Sequence, residues 1–258
     1  MSFTSDSTRA ASTPGPVSGI APTEGPADGT SLGDVARHGA AFRVRALAAL
    51  HRTPSGAVRD GATVRGDIPA APPSDFDLNP GLFAELAVAH PDAPPPVPAS
   101  VLVAIVDRDP LTVLLTQRTD RLQSHAGQIA FPGGKIDPGD RDPLAAALRE
   151  ADEEIGLDPT LVEPLGYLDR YRTSTGYIVH PVVALVVPTF TLRPNPREVA
   201  DVFEVPLAFL MDPRNHHRRS RLWQGRERHF YAMPFGERFI WGATAGMIRN
   251  MHQRLFVG

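Results

Sequence analysis

The chain of 258 residues contains no cysteine. That removes any disulfide framework and any thiolate metal site, and it fits a reducing, cytoplasmic setting. Lysine is nearly absent: Lys135 is the only one, and the remaining strong bases are arginines, as in the codon usage of a high-GC genome. The net charge is -3, with no basic stripe, so electrostatics make no case for a nucleic-acid partner. No apolar run reaches the length needed to span a bilayer, and no membrane partner is expected. The N-terminus lacks the apolar centre of a signal peptide. Its Ser, Thr and Arg9 faintly suggest a transit peptide, but Asp6, Glu24, Asp28 and several prolines argue against one. A chain of this length can bury a sizeable core in one domain plus an extension.

What is present is concentrated between Gly134 and Leu157. Glu150, Glu153 and Glu154 stand at i, i+3 and i+4 and so share one face of a helix. Like charges so placed weaken an isolated helix, and a hard divalent cation with oxygen ligands reverses that penalty. Leu144, Ala147, Leu148, Ala151 and Ile155 gather on the other side and can be buried while the acids face a cleft. Asp142 suits the N-cap, Pro143 the first helical position and Gly156 the end of the helix.

Composition divides the rest of the chain. Residues 1–32, rich in Ser, Thr, Gly, Pro and Ala, are expected to be disordered. Asp34 to Leu50 has helical potential weakened by Gly39, residues 52–80 look loop-like, and Phe83 to His90 suits a short helix. Pro91 to Pro98 is a stiff spacer and marks a boundary between an extension, 1–97, and a domain, 98–258. Strands are expected at Val101–Val106, Leu111–Thr116, Gln128–Phe131, Tyr167–Tyr171, Tyr177–Val187 and Val199–Val205. Pro206–Met211 reads as a helical turn, His229–Met233 and Arg238–Trp241 as extended, and Thr244–Phe256 as a closing amphipathic helix. Strands mixed with two main helices imply an α+β fold, an α/β/α sandwich.

The segment Arg149 to Leu157 resembles the second half of the Nudix box, G-x5-E-x7-R-E-U-x-E-E-x-G-U, with Ala151 at the first bulky position. In the first half, Asp140 stands where the pattern has Glu, and the gap from Asp140 to Arg149 is one residue longer. A second block, Leu114 to Gly134, looks like the signature of the coenzyme A pyrophosphatase branch of Nudix hydrolases. Leu114, Leu115, Thr116, Arg118, Gly127, Phe131, Pro132, Gly133 and Gly134 match it; Thr119 replaces Ser or Ala, and Gln123 replaces Arg. Arg121 is a nearby cation that would compensate for Gln123 if it pointed the same way. The run Gly236 to Ile248 also resembles that branch, so the likeness spans about residues 98–258.

The resemblance implies the Nudix fold, with a mixed β-sheet between helices, and Mg²⁺ or Mn²⁺ as cofactor. Glu150 and Glu154 are expected as metal ligands, Glu153 as a third ligand or water-mediated contact, and Arg149 as the group orienting a glutamate. Glu198 and Glu204 are alternative general bases. Gly133 and Gly134 permit close backbone approach, Arg118 suits a phosphate, and His125 is a substrate contact, with Arg121, Arg170, Arg172 and His180 as further guesses. The expected partner is a nucleotide small-molecule substrate, coenzyme A first, and the protein is expected as a monomer or a homodimer. ADP-ribose or NADH as substrate is the nearest alternative. A non-catalytic nucleotide-binding module is a more distant one, because such domains usually lose the glutamates. The extension would be an inert linker, or a partner-binding or regulatory segment.

Overall fold

The computed structural model describes residues 32–54, 73–79, 81, 82, 85, 94–121, 125–223 and 225–257. The expectations for residues 1–31, for most of Phe83–His90 and for Gln123 lie outside the described residues.

The centre is a mixed sheet. Its strands are β1 (Val97–Val106), β2 (Thr112–Arg118), β3 (Ile129–Ala130), β4 (Gly133–Lys135), β5 (Val162–Tyr167), β6 (Tyr171–Arg172), β7 (Tyr177–Val186) and β8 (Val199–Pro206). β1 runs parallel to β7 from Val97↔Tyr177 to Val106↔Val186. Its other edge is shared: β2 pairs antiparallel at Ile105 and Val106, while β4 pairs antiparallel at Ala99 to Val101. β2 and β4 therefore take separate stretches of β1, and the glutamate helix packs against β1 and β4. β8 lies antiparallel along β2.

Successive strand residues face opposite sides, and both sides are covered, which is why β1, β2 and β7 read as unbroken apolar runs. On one face Leu102, Ala104, Leu114, Val182 and Ala184 pack on α3 (Pro143–Ile155) through Ala147, Ala151 and Ile155. On the other face Val103, Ile105, Val113, Leu115 and Val183 join a larger core. Four further helices supply its cover: α1 (Leu32–Val35), α2 (Gly39–Ala49), α4 (Leu207–Met211) and α5 (Ala243–His252). A second antiparallel sheet contains β9 (His217–Trp223), β10 (Arg226–Phe235) and β11 (Arg238–Trp241). The architecture is the expected α/β/α sandwich.

Three details depart from expectation. The strand expected at Tyr167–Tyr171 instead ends at Tyr167, as β5, and only Tyr171–Arg172 resumes. Pro164 and Gly166 look like breakers, but β5 lies at the end of the sheet order and shifts register between them, where proline is tolerated. β9 carries almost no buried side chain and so has no apolar alternation to reveal it. The helix expected over Asp34–Leu50 breaks into α1 and α2 before Gly39, where a Cβ would stand 2.2 Å from the Asp107 carboxylate.

The N-terminal helices are integrated into the core. Val35, Ala36, Phe42, Ala46 and Leu50 are buried in it, and His51 and Tyr167 exchange backbone hydrogen bonds at 3.0 and 2.9 Å. Asp169 ties this segment to the C-terminus. It accepts from Arg254 Nε at 2.8 Å and Nη2 at 2.6 Å and from Asn250 Nδ2 at 2.8 Å, with His51 Nε2 at 2.9 Å. Burial alone would raise its pKa, but the bonds from Arg254, His51 and Asn250 hold the carboxyl far below the usual range.

Candidate active site

α3 has the ends its sequence calls for. Asp142 is extended, and its side chain accepts from Ala145 N at 2.8 Å. Pro143 follows, and Gly156 closes the helix in the left-handed conformation at φ 66. This fixes the rotation of the helix, so Ala147, Ala151 and Ile155 enter the core and Glu150 and Glu154 meet β4.

Two glycines make that meeting close. Gly133 has φ +152, and a Cβ there would sit 2.3 Å from Ser100 O. Its N–H donates to Glu154 Oε2 at 3.1 Å. A Cβ on Gly134 would lie 2.5 Å from the Glu150 carboxyl carbon. Bare backbone is therefore required where the strand faces the two carboxylates.

Glu154 is only 3% exposed. Burial, opposed by the Gly133 N–H and Arg118 and reinforced by the charges of Glu150 and Glu198, pushes its carboxyl up to about 7. Burial raises Glu150 as well, with Glu153 and Glu198 adding repulsion against the pull of Arg149. Glu153 remains mostly exposed. Arg149 Nη1 lies 3.1 Å from both Glu150 Oε1 and Glu153 Oε2 and donates to each.

Asp140 anchors Arg149. Its carboxylate accepts from Arg149 Nε at 3.0 Å and Nη2 at 2.9 Å, a two-pronged pairing, and Arg149 also donates to Lys135 O at 3.1 Å. Asp140 is itself held by the turn Asp137–Asp140, closed by Asp140 N donating to Asp137 O and Asp137 N to Asp140 Oδ2. The guanidinium holds the Asp140 carboxyl below the ordinary range, and Asp140, with Glu150, raises the pKa of Arg149 in turn.

Arg118 ends β2, where the register shifts between Gln117 and Arg118. Its Nη1 lies 3.6 Å from Glu154 Oε1, and its Nε is buried without a hydrogen-bond partner. Glu198 is carried by a loop sewn to both neighbours: Thr119 N donates to Glu198 O at 2.9 Å, and Asn195 N to Glu154 O at 2.8 Å. Asn195 Nδ2 also donates to Glu198 Oε1 at 3.3 Å. Sequence reasoning missed Asn195, whose Asn-Pro dipeptide was the available signal.

Other expected residues lie apart. Glu204 accepts from Arg108 at 2.7 and 2.8 Å and from Thr112. Its carboxylate is thus engaged with Arg108, in the loop after β1, and with Thr112 of β2. His125 is exposed, and its Nδ1 lies 2.9 Å from Gln128 Oε1 within its own turn. Arg121 is exposed after β2. Arg172 covers the Phe76 ring at 5.7 Å. Burial, aided by the charge of Arg170, lowers the pKa of His180.

Among the described residues no three His, Asp or Glu groups close on one point as a complete metal cage. Arg149 bridges Glu150 and Glu153, while Gly133 and Arg118 engage Glu154. An open carboxylate set of this kind fits a small hard cation that keeps waters and is shared with substrate phosphates.

The NUDIX domain family matches residues 96–224. The chain belongs to the Nudix hydrolase family. The uncharacterised Nudix hydrolase NudL of Photorhabdus laumondii is 41% identical over 159 residues, covering 62% of this chain and 85% of the relative. NudL of Yersinia pestis is 40% identical, with 62% and 80% covered. Among solved structures, the Nudix domain of Shewanella oneidensis NrtR, complexed with ADP ribose, is 20% identical with TM-score 0.41, covering 66% of this chain and 97% of that one. A MutT/nudix family protein of Enterococcus faecalis is 17% identical with TM-score 0.38, covering 68% and 69%. This Nudix hydrolase thus acts on nucleoside diphosphate derivatives, in a family that uses divalent metal ions. No helix among the described residues is long and apolar enough to cross a membrane.

Proposed function

We propose that this Nudix hydrolase cleaves the diphosphate of coenzyme A or its derivatives to 3′,5′-ADP and 4′-phosphopantetheine or the acylated form. One observation carries the reading. The block Leu114–Gly134, which resembles the coenzyme A pyrophosphatase signature, folds into β2, β3 and the start of β4 and brings Arg118 and Gly133 against Glu154.

In this reading Glu150 and Glu154 hold Mg²⁺ or Mn²⁺, with Glu153 as a third or water-mediated ligand. The cation, when bound, neutralises non-bridging oxygens and makes a water more acidic. Glu198 takes a proton from the attacking water, whose oxygen bonds to one phosphorus as the bridging P–O bond breaks. Arg118 pairs with a phosphate, satisfying its buried Nε. Gly133 and Gly134 let the substrate approach the backbone, and His125 contacts it from the exposed turn. Arg149, set by Asp140, positions Glu150 and Glu153. All these residues fall within 98–258, with the extension 1–97 as an added scaffold.

ADP-ribose or NADH is the second reading, favoured by Thr119 and Gln123 at positions where the signature has other residues. A panel of coenzyme A, acetyl-coenzyme A, ADP-ribose, NADH and diadenosine polyphosphates, at fixed Mg²⁺ and again at Mn²⁺, separates the two. Coenzyme A should lead and release 3′,5′-ADP. Intact coenzyme A beside cleaved ADP-ribose or NADH would overturn the substrate assignment.

A further inference from the structure

A cavity of about 370 Å³ lies between the second sheet and Ser74, Asp75, Leu78, Asn79 and Leu82 of the extension, and its lining contains none of the glutamates Glu150, Glu153, Glu154 and Glu198. The extension wall is pinned in place. Asn79 Nδ2 donates to His229 O at 2.9 Å, and His229 N donates to Asn79 Oδ1 at 2.8 Å. Asp75 accepts from Tyr171 OH at 2.9 Å and from Ser174 N and Oγ at 2.8 and 2.9 Å, so its charge is engaged in holding this wall to β6 and the turn after it.

The opposite wall is aromatic and cationic. Pairing places Arg221 opposite Arg228, Trp223 opposite Arg226 and Trp241 opposite Ala232, so Arg221, Trp223, Arg228, Phe230 and Trp241 share one face of the second sheet. The Arg221 guanidinium sits 5.0 Å from the Trp223 ring centre and 4.9 Å from that of Trp241. Phe230 meets Trp241 edge-on at 5.2 Å. Arg226 and Arg228 both pair with Glu85, whereas Arg221 has no carboxylate partner among the described residues. The protein has thus oriented one cation between two indoles and left its charge unmatched at the rim of a cavity.

We propose that this cavity is a second ligand site, separate from the catalytic glutamates, and that it takes a nucleoside phosphate. The planar base packs on the tryptophan face, where offset or edge-on contact is favourable. The phosphate pairs with the flat guanidinium of Arg221, whose fork of donors matches its oxygens. The volume falls in the roughly 300–1,000 Å³ range of small-ligand pockets. Because Ser74, Asp75, Leu78, Asn79 and Leu82 form a wall, occupancy of the site depends on the extension being docked.

Trp223 and Trp241 are the only tryptophans of the chain, so intrinsic fluorescence reports on this cavity directly and without turnover. The full-length protein, free of metal, is titrated with AMP, adenosine and inorganic phosphate in turn. AMP should give a saturable change in emission, with adenosine and phosphate each weaker by at least about tenfold. R221Q should weaken AMP by about tenfold or more with an unchanged circular dichroism spectrum, and E150Q should bind AMP as the wild type does. If R221Q does not fold, R221K replaces it, with several-fold weaker binding expected because the flat fork is lost. Emission unmoved by millimolar AMP, equal affinity for adenosine, an Arg221 variant that binds like the wild type, or loss of binding in E150Q would each overturn the proposal.

Discussion

Glu154→Gln should make the metal-free protein more stable while removing its activity. Burial holds the Glu154 carboxyl at about 7 instead of 4.5. At about 1.4 kcal/mol per pH unit, that gap corresponds to roughly 3 kcal/mol. The folded carboxyl keeps its proton more tightly than the unfolded one, so below pH 4.5 there is no penalty. The cost to folding grows as pH rises to about 7 and is complete above it. Gln keeps an acceptor for the Gly133 N–H but deprives Arg118 of a counter-charge, which brings the expected gain at pH 8 to about 2–3 kcal/mol, or roughly 5–10 °C in Tm. Wild-type profiles alone would mislead, because buried His216, pushed down to about 4, and His252, also lowered by burial, add stability as pH rises. The difference between the two proteins cancels those terms. Urea denaturation in chelator at pH 4.5 and pH 8 should show a difference near zero at the lower pH and the full gain at the higher. The reasoning is refuted if E154Q is no more stable than the wild type at pH 8, or if the gain is the same at both.

Three further outcomes follow from contacts around the site and the extension. Asp169→Asn weakens the link between α2, Arg254 and Asn250; the loss should be about 2–3 kcal/mol, below the value for a fully buried pair because the carboxylate is 24% exposed. Limited proteolysis should then cut first within 32–54, and an unchanged cleavage map would argue that the link is inert. Gly134→Ala should lower kcat by about 100-fold by displacing Glu150; a kcat within a factor of about two of the wild type would show that the close approach is unimportant. Asp140→Ala frees Arg149 and should cost roughly 10–100-fold in kcat, with partial recovery in Asp140→Glu. Equal loss in both variants would point to a structural role alone.

The most legible part of the fold was α3, where cap, proline, terminal glycine and two opposed faces all gave the same answer. β1, β2 and β7 were legible because burial on both faces demands unbroken apolar runs. β9 was not, since an exposed strand held only by β10 needs no apolar side chains. The docking of the extension was hidden for another reason: the buried Val35, Ala36, Phe42, Ala46 and Leu50 are interrupted by Arg37, Gly39, Arg43 and Arg45, and the apolar Val44 is exposed. In the site, the glutamate face was visible locally. The different surroundings of Glu198 and Glu204 were not, because they come from the backbone bond from Thr119 and the pairing with Arg108, both distant in sequence. The partnership of Asp140 with Arg149 was masked by the extra residue between them and by Asp in place of Glu.

The most direct test of the account compares the full-length wild type with E150Q and E154Q on coenzyme A with Mg²⁺ or Mn²⁺, following 3′,5′-ADP by chromatography. The account predicts that the wild type releases 3′,5′-ADP and 4′-phosphopantetheine together, and that both variants, folded by circular dichroism, lose at least about 100-fold in kcat. Intact coenzyme A with the wild type, or turnover that survives both substitutions, would contradict it.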